Sequence, residues 1–193
     1  MKKNKKTTGI LAAILIVLVV IVAAIIIVFS VRGKKSTEST TETIDAAGKH
    51  HVEIQVKNYG TIKGELDGDT APITVANFLK LAQNGFYDGL TFHRIIDGFM
   101  IQGGDPKGNG TGGSDETIKG EFSGNGVENN ISHVRGTISM ARSQDMDSAS
   151  SQFFIVQSDC TYLDGQYAAF GTVTEGMELV DKICKDTPVQ DNN

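Results

Sequence analysis

The residues of this 193-residue chain that could do chemistry together are one arginine, two glutamines and several large apolar side chains. They lie in the run FHRIIDGFMIQGGD, residues 92–105, and in the later triplet Gln152-Phe153-Phe154. Alternate residues of a strand share one face of a sheet, so Met100 and Gln102 should point the same way. We expect Arg94 to join them, so that a cation, an amide and apolar groups line one concave patch. The residues alone leave open that Arg94 is a surface cation beside ordinary core aromatics.

Other kinds of site lack the surroundings that they need. The glycine run 108–113 matches a dinucleotide-binding pattern, but no helix follows it, which favours a tight surface loop. Ser148, Ser150 and Ser151 lack the strained elbow and the base of a serine nucleophile. No histidine has a partner at metal-ligand spacing, and we expect a hydrogen-bonded structural role for His93. Neither a metal nor a cofactor is predicted.

The two cysteines, Cys160 and Cys184, leave two interpretations open. They lie too far apart, and too far from any histidine, for a typical zinc site. They could pair in a domain outside the cytoplasm, or both could be buried free thiols.

Alternating apolar residues predict a half-buried strand at residues 51–56, and further β-like runs predict several more short strands. The runs are residues 51–56, 61–66, 91–96, 99–102, 137–141, 153–156 and 168–173. Many short strands with few helices are typical of an antiparallel sheet that is closed into a barrel with helices over its ends.

Two segments have helical spacing instead. The first follows Pro72, with Val75 and Phe78 on its apolar stripe, begins at a capping residue within Asp69-Thr70-Ala71, and ends at Gly85. The second covers residues 177–185. Between them, residues 103–136 form a long stretch rich in glycine, asparagine and serine, and a loop of that length in a compact domain is usually functional.

The first part of the chain predicts a membrane anchor. Residues 1–9 carry four lysines, and the twenty residues from Ile10 to Phe29 have no charged side chain, which matches the thickness of a bilayer core. We therefore predict a cytoplasmic basic N-terminus (1–9) followed by a transmembrane signal-anchor helix (10–31), which lies in the lipid bilayer. A flexible tether rich in Ser, Thr and Glu (32–49) then leads to a folded domain (50–193). A cleaved signal peptide fits less well, because the apolar run is long and lacks a small-residue cleavage site. A buried core helix would not be apolar on all sides.

Charge excludes one class of partner. All 23 acidic residues and only eleven of the 18 basic ones follow Lys35, so this part of the chain has a formal charge of −12. Because nucleic acid binding needs a positive face, we exclude nucleic acid as a partner. Separately, we expect the domain to be a monomer.

Several motifs, taken together and in order, resemble those of the cyclophilins. They are FHRIIDGFMIQGGD, GTGG (110–113), GTISMA (136–141), SSQFFI (150–155) and LDGQYAAFG (163–171), and the match covers residues 52–185. The resemblance, closest to single-domain bacterial members, implies a mainly β fold, a closed eight-stranded antiparallel barrel capped by two α-helices. It also implies peptidyl-prolyl cis/trans isomerase activity on X-Pro-containing polypeptides without a cofactor.

The resemblance also implies roles for particular residues. The catalytic group comprises Arg94, Phe99 and Gln102, and the substrate-binding groove comprises Met100, Ala141, Arg142, Gln152, Phe154, Tyr162, Leu163 and Tyr167. Three of these depart from the family pattern. Tyr162 stands where the best-known members have Trp, Tyr167 where many have His, and Arg142 where Asn is common.

Two functions compete at this stage. The first is a foldase that assists exported proteins at the outer face of the cytoplasmic membrane, in the cell envelope of a bacterium. The second is a non-catalytic module that binds proline-containing segments or mediates adhesion at the cell surface. The presence of Arg94, Phe99, Met100, Gln102 and Phe154 favours the enzyme.

Overall fold

The structure, a computed structural model, describes residues 44–187. The predicted basic N-terminus, the predicted membrane span and most of the predicted tether lie outside these residues. Within the described part of the chain, no helix is long and apolar enough to span a bilayer.

Contacts of the folded domain begin a few residues before His50. Ala46 is buried in the core, and the Gly48 N–H donates to Asp69 Oδ1 at 2.9 Å. The first strand begins at Lys49. The last residues of the segment predicted as tether are therefore packed against the domain.

The described residues form seven strands and two helices. In chain order they are β1 (Lys49–Val56), β2 (Gly60–Asp67), α1 (Pro72–Gln83), β3 (Arg94–Ile96), β4 (Met100–Gly103), β5 (Thr137–Met140), β6 (Phe153–Val156), β7 (Ala169–Glu175) and α2 (Met177–Asp186). Every strand pairing is antiparallel, and the order across the sheet is β1-β2-β7-β5-β6-β4-β3. The mainly β architecture with two helices is as predicted.

The prediction of a closed eight-stranded barrel needs correction. Among residues 44–187 there are seven strands, and no hydrogen-bonded pairing joins β3 to β1. Residues 91–93, which were predicted as the start of a strand, also form no strand pairing, and β3 begins only at Arg94. The α2 helix contacts both β2 and β3, which lie near opposite ends of the strand order. The sheet therefore curls enough for one helix to contact both its second strand, β2, and its last strand, β3.

Strands β3, β4 and β6 bury side chains on both faces. Ile95, Ile101 and Ile155 belong to the main core, whereas Met100 and Phe154 belong to a second, smaller cluster. Because successive side chains of a strand alternate between faces, one sheet separates these two clusters. The second cluster forms the floor of the candidate site.

The N–H groups at the start of α1 donate to the side chain of a residue that is distant in sequence. Pro72 occupies the first turn as predicted, but no side chain next to Ala71 caps the helix. The carboxylate of Glu121 instead accepts the N–H of Ile73 at 3.0 Å and both the N–H and the hydroxyl of Thr74, at 2.8 and 2.7 Å. The prediction of a local cap is therefore wrong, because a buried acid 47 residues away in sequence from Thr74 takes that role.

Replacing Glu121 with Ala should destabilise the domain. The substitution leaves the partly buried N–H of Ile73 and the buried N–H of Thr74 without their acceptor, which costs about 2 kcal/mol and lowers the melting temperature by roughly 4–8 °C. Thermal unfolding of the purified protein measures this shift. Glu128→Ala, at an exposed acid of the same segment, is the control and should move the midpoint little. Equal shifts for the two variants would contradict the capping role.

Candidate active site

Strand register places three of the predicted site residues in one row. Arg94 pairs with Gln102, Gln102 pairs with Phe154, and Phe154 pairs with Ser139 on β5. Directly paired residues of an antiparallel sheet lie on the same face, and Met100 shares that face because it precedes Gln102 by two positions. The prediction that Arg94, Met100 and Gln102 point the same way is confirmed.

These side chains line a pocket of about 260 Å³. Its lining consists of Arg94, Phe99, Met100, Gln102, Ala141, Arg142, Phe154, Leu163 and Tyr167, each of which was predicted from the sequence. The two other predicted residues border it. Gln152 is hydrogen-bonded to Gln102, and Tyr162 is 65% exposed and stacks on Phe99, with ring centroids 6.3 Å apart.

The floor of the pocket is apolar and well packed. Met100 and Phe154 are 1% and 5% exposed, and they pack with Val156 and Cys160. The Tyr167 ring meets Phe154 edge-on, with centroids 6.0 Å apart. A pocket with such a floor suits a small apolar ring better than a polar group.

Arg94 is the polar group with unused donors at the rim. Its side chain is exposed, with Nη1 3.9 Å from Met100 Sδ and Cζ 5.9 Å from the centre of the Phe99 ring. Among residues 44–187, no carboxylate forms an ion pair with it. Most of its N–H groups are therefore available to a ligand in the pocket.

A chain of amides orients Gln102. The Nε2 of Gln152 donates to the carbonyl oxygens of Gly110 and Gly112, at 3.1 and 2.6 Å. Because both amide hydrogens are used, Gln152 Oε1 is the acceptor, and it receives the Nε2–H of Gln102 at 2.8 Å. The carbonyl oxygen of Gln102 is thereby left as an acceptor for the pocket.

The glycine-rich loop in this chain is shaped by Asp105, which is 1% exposed. Its carboxylate accepts the N–H groups of Lys107 at 2.7 Å, Asn109 at 3.1 Å and Gly110 at 2.6 Å. Burial alone would raise the pKa of this carboxyl, but the backbone hydrogen bonds outweigh it and lower the pKa to about 2. Asp105 is therefore ionised at neutral pH, and it holds the loop whose carbonyls orient Gln152.

A buried histidine supports the pocket from behind. His133 is 1% exposed, and its Nδ1 lies 2.8 Å from Asp164 Oδ1 and its Nε2 2.9 Å from Ser139 Oγ. Burial lowers the pKa of His133 and Asp164 opposes this, so the ring is neutral at pH 7. Since a carboxylate only accepts, Nδ1 carries the proton and the Ser139 hydroxyl donates to Nε2. The ring stacks on Phe154 at 6.0 Å, so this arrangement fixes the pocket floor.

Sequence reasoning missed these supporting residues. For Asp105 a signal existed, because an aspartate before a glycine-rich turn commonly accepts backbone N–H groups. For His133 and Asp164, which lie 31 residues apart, no local pattern connects the two. The expected hydrogen bonds of His93 are absent among residues 44–187, where neither of its ring nitrogens has a partner.

Both cysteines are buried, and neither forms a disulfide. Cys160 lies in the cluster beneath the pocket, and Cys184 lies on α2 in the main core. Burial raises the pKa of each thiol to about 11. Of the two interpretations left open by the sequence, the structure has the buried free thiols.

Comparison with known proteins decides the family. The protein-family model described as cyclophilin type peptidyl-prolyl cis-trans isomerase/CLD matches residues 51–193 of this chain. The chain belongs to this family. Cyclophilins of this type are peptidyl-prolyl cis-trans isomerases, and the pocket on the second face of the sheet is this cyclophilin's candidate active site.

Relatives and solved structures of the family are similar over most of the folded domain. Peptidyl-prolyl cis-trans isomerase B of Bacillus subtilis is 52% identical over 118 residues, which cover 61% of this chain and 79% of the relative. A peptidyl-prolyl cis-trans isomerase of Helicobacter pylori is 47% identical over 128 residues, 65% of this chain and 76% of that protein. A cyclophilin of Cryptosporidium parvum, crystallised in the presence of the dipeptide Ala-Pro, is 36% identical with a TM-score of 0.64, over 70% of this chain and 85% of that one.

Replacing Asp105 with Asn should weaken the cyclophilin domain in a pH-dependent way. The folded pKa lies below the ordinary value of 3.8, so the stabilisation is complete above about pH 5 and is lost as the pH falls toward 2. This lowering of the Asp105 pKa corresponds to roughly 2 kcal/mol in the free energy of unfolding at neutral pH. Denaturant unfolding at pH 7, 4 and 2.5 should show the difference between wild type and variant shrinking as the pH falls.

Asp115→Asn is the control for this experiment, because Asp115 is exposed in the same loop region. We expect that variant to follow the wild type at each pH. A stability difference between wild type and Asp105→Asn that is the same at pH 7 and pH 2.5 would contradict the role given to the Asp105 carboxylate.

Proposed function

We propose that this cyclophilin is a membrane-tethered isomerase that catalyses X-Pro bond rotation in exported proteins. It acts as a monomer at the outer face of the cytoplasmic membrane, to which residues 10–31 anchor it. Uncatalysed X-Pro isomerisation takes tens to hundreds of seconds, so chains that emerge across the membrane are substrates on which such an enzyme would have an effect.

The observation that carries the chemical part of this proposal is Arg94 with unused donors beside an apolar pocket. Rotation about a peptide bond costs about 18–20 kcal/mol because the amide loses resonance, while cis and trans X-Pro forms differ by only about 0.5–1 kcal/mol. Catalysis therefore requires preferential binding of the twisted amide. In that state the proline nitrogen regains a lone pair, which an N–H of Arg94 can hydrogen-bond.

The remaining residues of the site have complementary roles in the proposal. The proline ring occupies the apolar pocket formed by Phe99, Met100, Phe154 and Leu163. The carbonyl oxygen of Gln102, oriented by Gln152, accepts a hydrogen bond from the substrate or from Arg94. The peptide backbone runs along Ala141, Arg142 and Gln152, and the rings of Tyr162 and Tyr167 flank it.

Two observations favour an enzyme over a module that only holds proline-containing segments. An apolar pocket is enough to hold a proline ring, whereas the unused donors of Arg94 beside it can also hydrogen-bond the nitrogen lone pair that appears only in the twisted amide. The chain also belongs to a family of peptidyl-prolyl isomerases. The cyclophilin of Cryptosporidium parvum that it resembles was crystallised in the presence of Ala-Pro, which supports a proline-containing ligand under either function.

Replacing Arg94 with Ala should lower kcat/KM by about two orders of magnitude, the usual effect of removing one electrostatic donor to a transition state. A prolyl-isomerisation assay on a short proline peptide measures this loss. Lys57→Ala, at an exposed lysine on the β1–β2 turn, is the control and should retain wild-type turnover. If wild type and Arg94→Ala turned over equally slowly, the binding-module interpretation would replace the enzyme.

The proposed location rests on the sequence outside the described residues. Four lysines precede the apolar run of 20 residues within the first six positions, and three basic residues follow it. An excess of Lys and Arg marks the cytoplasmic side of a membrane span, which places the isomerase domain outside.

Protease added to intact cells should therefore remove the isomerase domain. A shorter membrane-bound fragment that contains the N-terminus should remain, and an epitope at each end of the chain distinguishes the two products. A cytoplasmic protein in the same cells should stay intact, which controls for lysis. Protection of the C-terminal epitope until the cells are permeabilised would overturn the proposed orientation.

A further inference from the structure

The second arginine of the pocket, Arg142, donates most of its hydrogen bonds to backbone carbonyls of the protein itself. Its Nε and Nη2 donate to the Gln166 carbonyl oxygen at 3.0 and 2.9 Å. Its Nη1 donates to the carbonyl oxygens of Ser143 and Gln144 at 2.8 and 3.3 Å. Four of the five N–H groups of a guanidinium are thus occupied by backbone acceptors. Arg142 differs in this from Arg94, whose only hydrogen bond among the described residues is the weak one to Met100.

The same guanidinium lies over two aromatic rings. Its Cζ is 4.8 Å from the centre of the Tyr167 ring and 5.2 Å from the centre of the Phe122 ring. Phe122 is 1% exposed and belongs to the main core, whereas Tyr167 lines the pocket. The planar cation therefore connects Tyr167 of the pocket wall to the fully buried Phe122, with contacts typical of cation–π packing.

These contacts extend the sheet beyond its last backbone pairing. The Met140 N–H bonds the Ala168 carbonyl at 3.0 Å, and no pair between β5 and β7 follows Met140 in the described chain. Arg142 lies two residues further along and reaches the Gln166 carbonyl with its side chain. Gln166 in turn donates through Nε2 to the Tyr162 carbonyl at 2.7 Å. One side chain thus connects the segment after β5 to the segment that holds Tyr162, Leu163 and Tyr167.

We propose that Arg142 is a positioning residue, which fixes the pocket wall around Tyr167 without itself contacting the amide that rotates. This inference rests on the pocket being the site of isomerisation. It changes the role predicted for Arg142 in the groove, because its backbone remains beside the peptide while its guanidinium is committed to the wall. Arg94 is then the pocket cation that acts on the substrate.

The two arginines should have different kinetic signatures. The wall flanks the bound peptide in the planar and twisted states alike, so its loss weakens the binding of both states equally and raises KM with little change in kcat. We expect KM to rise about tenfold for Arg142→Ala. Arg142→Lys should behave like the Ala variant, because lysine keeps the charge but lacks the planar fork and its parallel donors.

A double-mutant cycle between Arg142 and Tyr167 tests whether one acts through the other. We would measure kcat, KM and the dissociation constant of a proline tetrapeptide for Arg142→Ala, Tyr167→Ala and the double variant. If Arg142 acts through the Tyr167 wall, the double variant should differ from Tyr167→Ala by less than twofold. Full additivity of the two losses, or wild-type KM in Arg142→Lys, would overturn the inference.

A readout independent of turnover separates this inference from the proposed function. In NMR spectra of tyrosine-labelled protein, the Tyr167 ring signals should shift in Arg142→Lys, at unchanged melting temperature, and should stay in place in Lys57→Ala. An inactive wild type with these shifts would contradict the isomerase function alone. An active wild type whose Tyr167 signals and KM do not respond to Arg142→Lys would contradict the positioning role alone.

Discussion

The register of β4 between β3 and β6 is the constraint on which the site depends. Because side chains alternate with a period of two, a slip by one residue would turn Gln102 away from the pocket and Ile101 into it. Close packing at the end of β4 prevents such a slip. Gly104 has a φ of +82°, and a Cβ there would lie 2.3 Å from the Ser151 carbonyl oxygen. Only glycine allows the segments at Gly104 and Ser151 to approach this closely. This contact fixes the register of the row from Arg94 to Ser139.

Around this row the cyclophilin site is built from one face of a sheet and three layers of support. Asp105 shapes a loop, the loop carbonyls hold Gln152, and Gln152 orients Gln102. On the other side of the site, the neutral His133 ring stacks on Phe154. Gln102 and the Phe154 floor thus have their positions set by neighbouring groups, whereas Arg94 keeps most of its donors free for a ligand.

The strands, helices and pocket residues could largely be predicted because they depend on local periodicity and on ordered motifs. Residues 51–56, for example, alternate polar and apolar side chains, which is the pattern of a half-buried strand. What could not be predicted depends on contacts between distant residues. Glu121 caps a helix that begins near Pro72, and Asp164 fixes the tautomer of His133, and neither spacing follows a secondary-structure period.

The two buried thiols beneath the pocket and on α2 have a chemical consequence. A thiol whose pKa is about 11 is thiolate at neutral pH in only about one molecule in ten thousand, and the thiolate is the form that reacts with oxidants and disulfides. Together with burial, this makes Cys160 and Cys184 inert to thiol exchange. The packing of the described domain therefore depends on no disulfide.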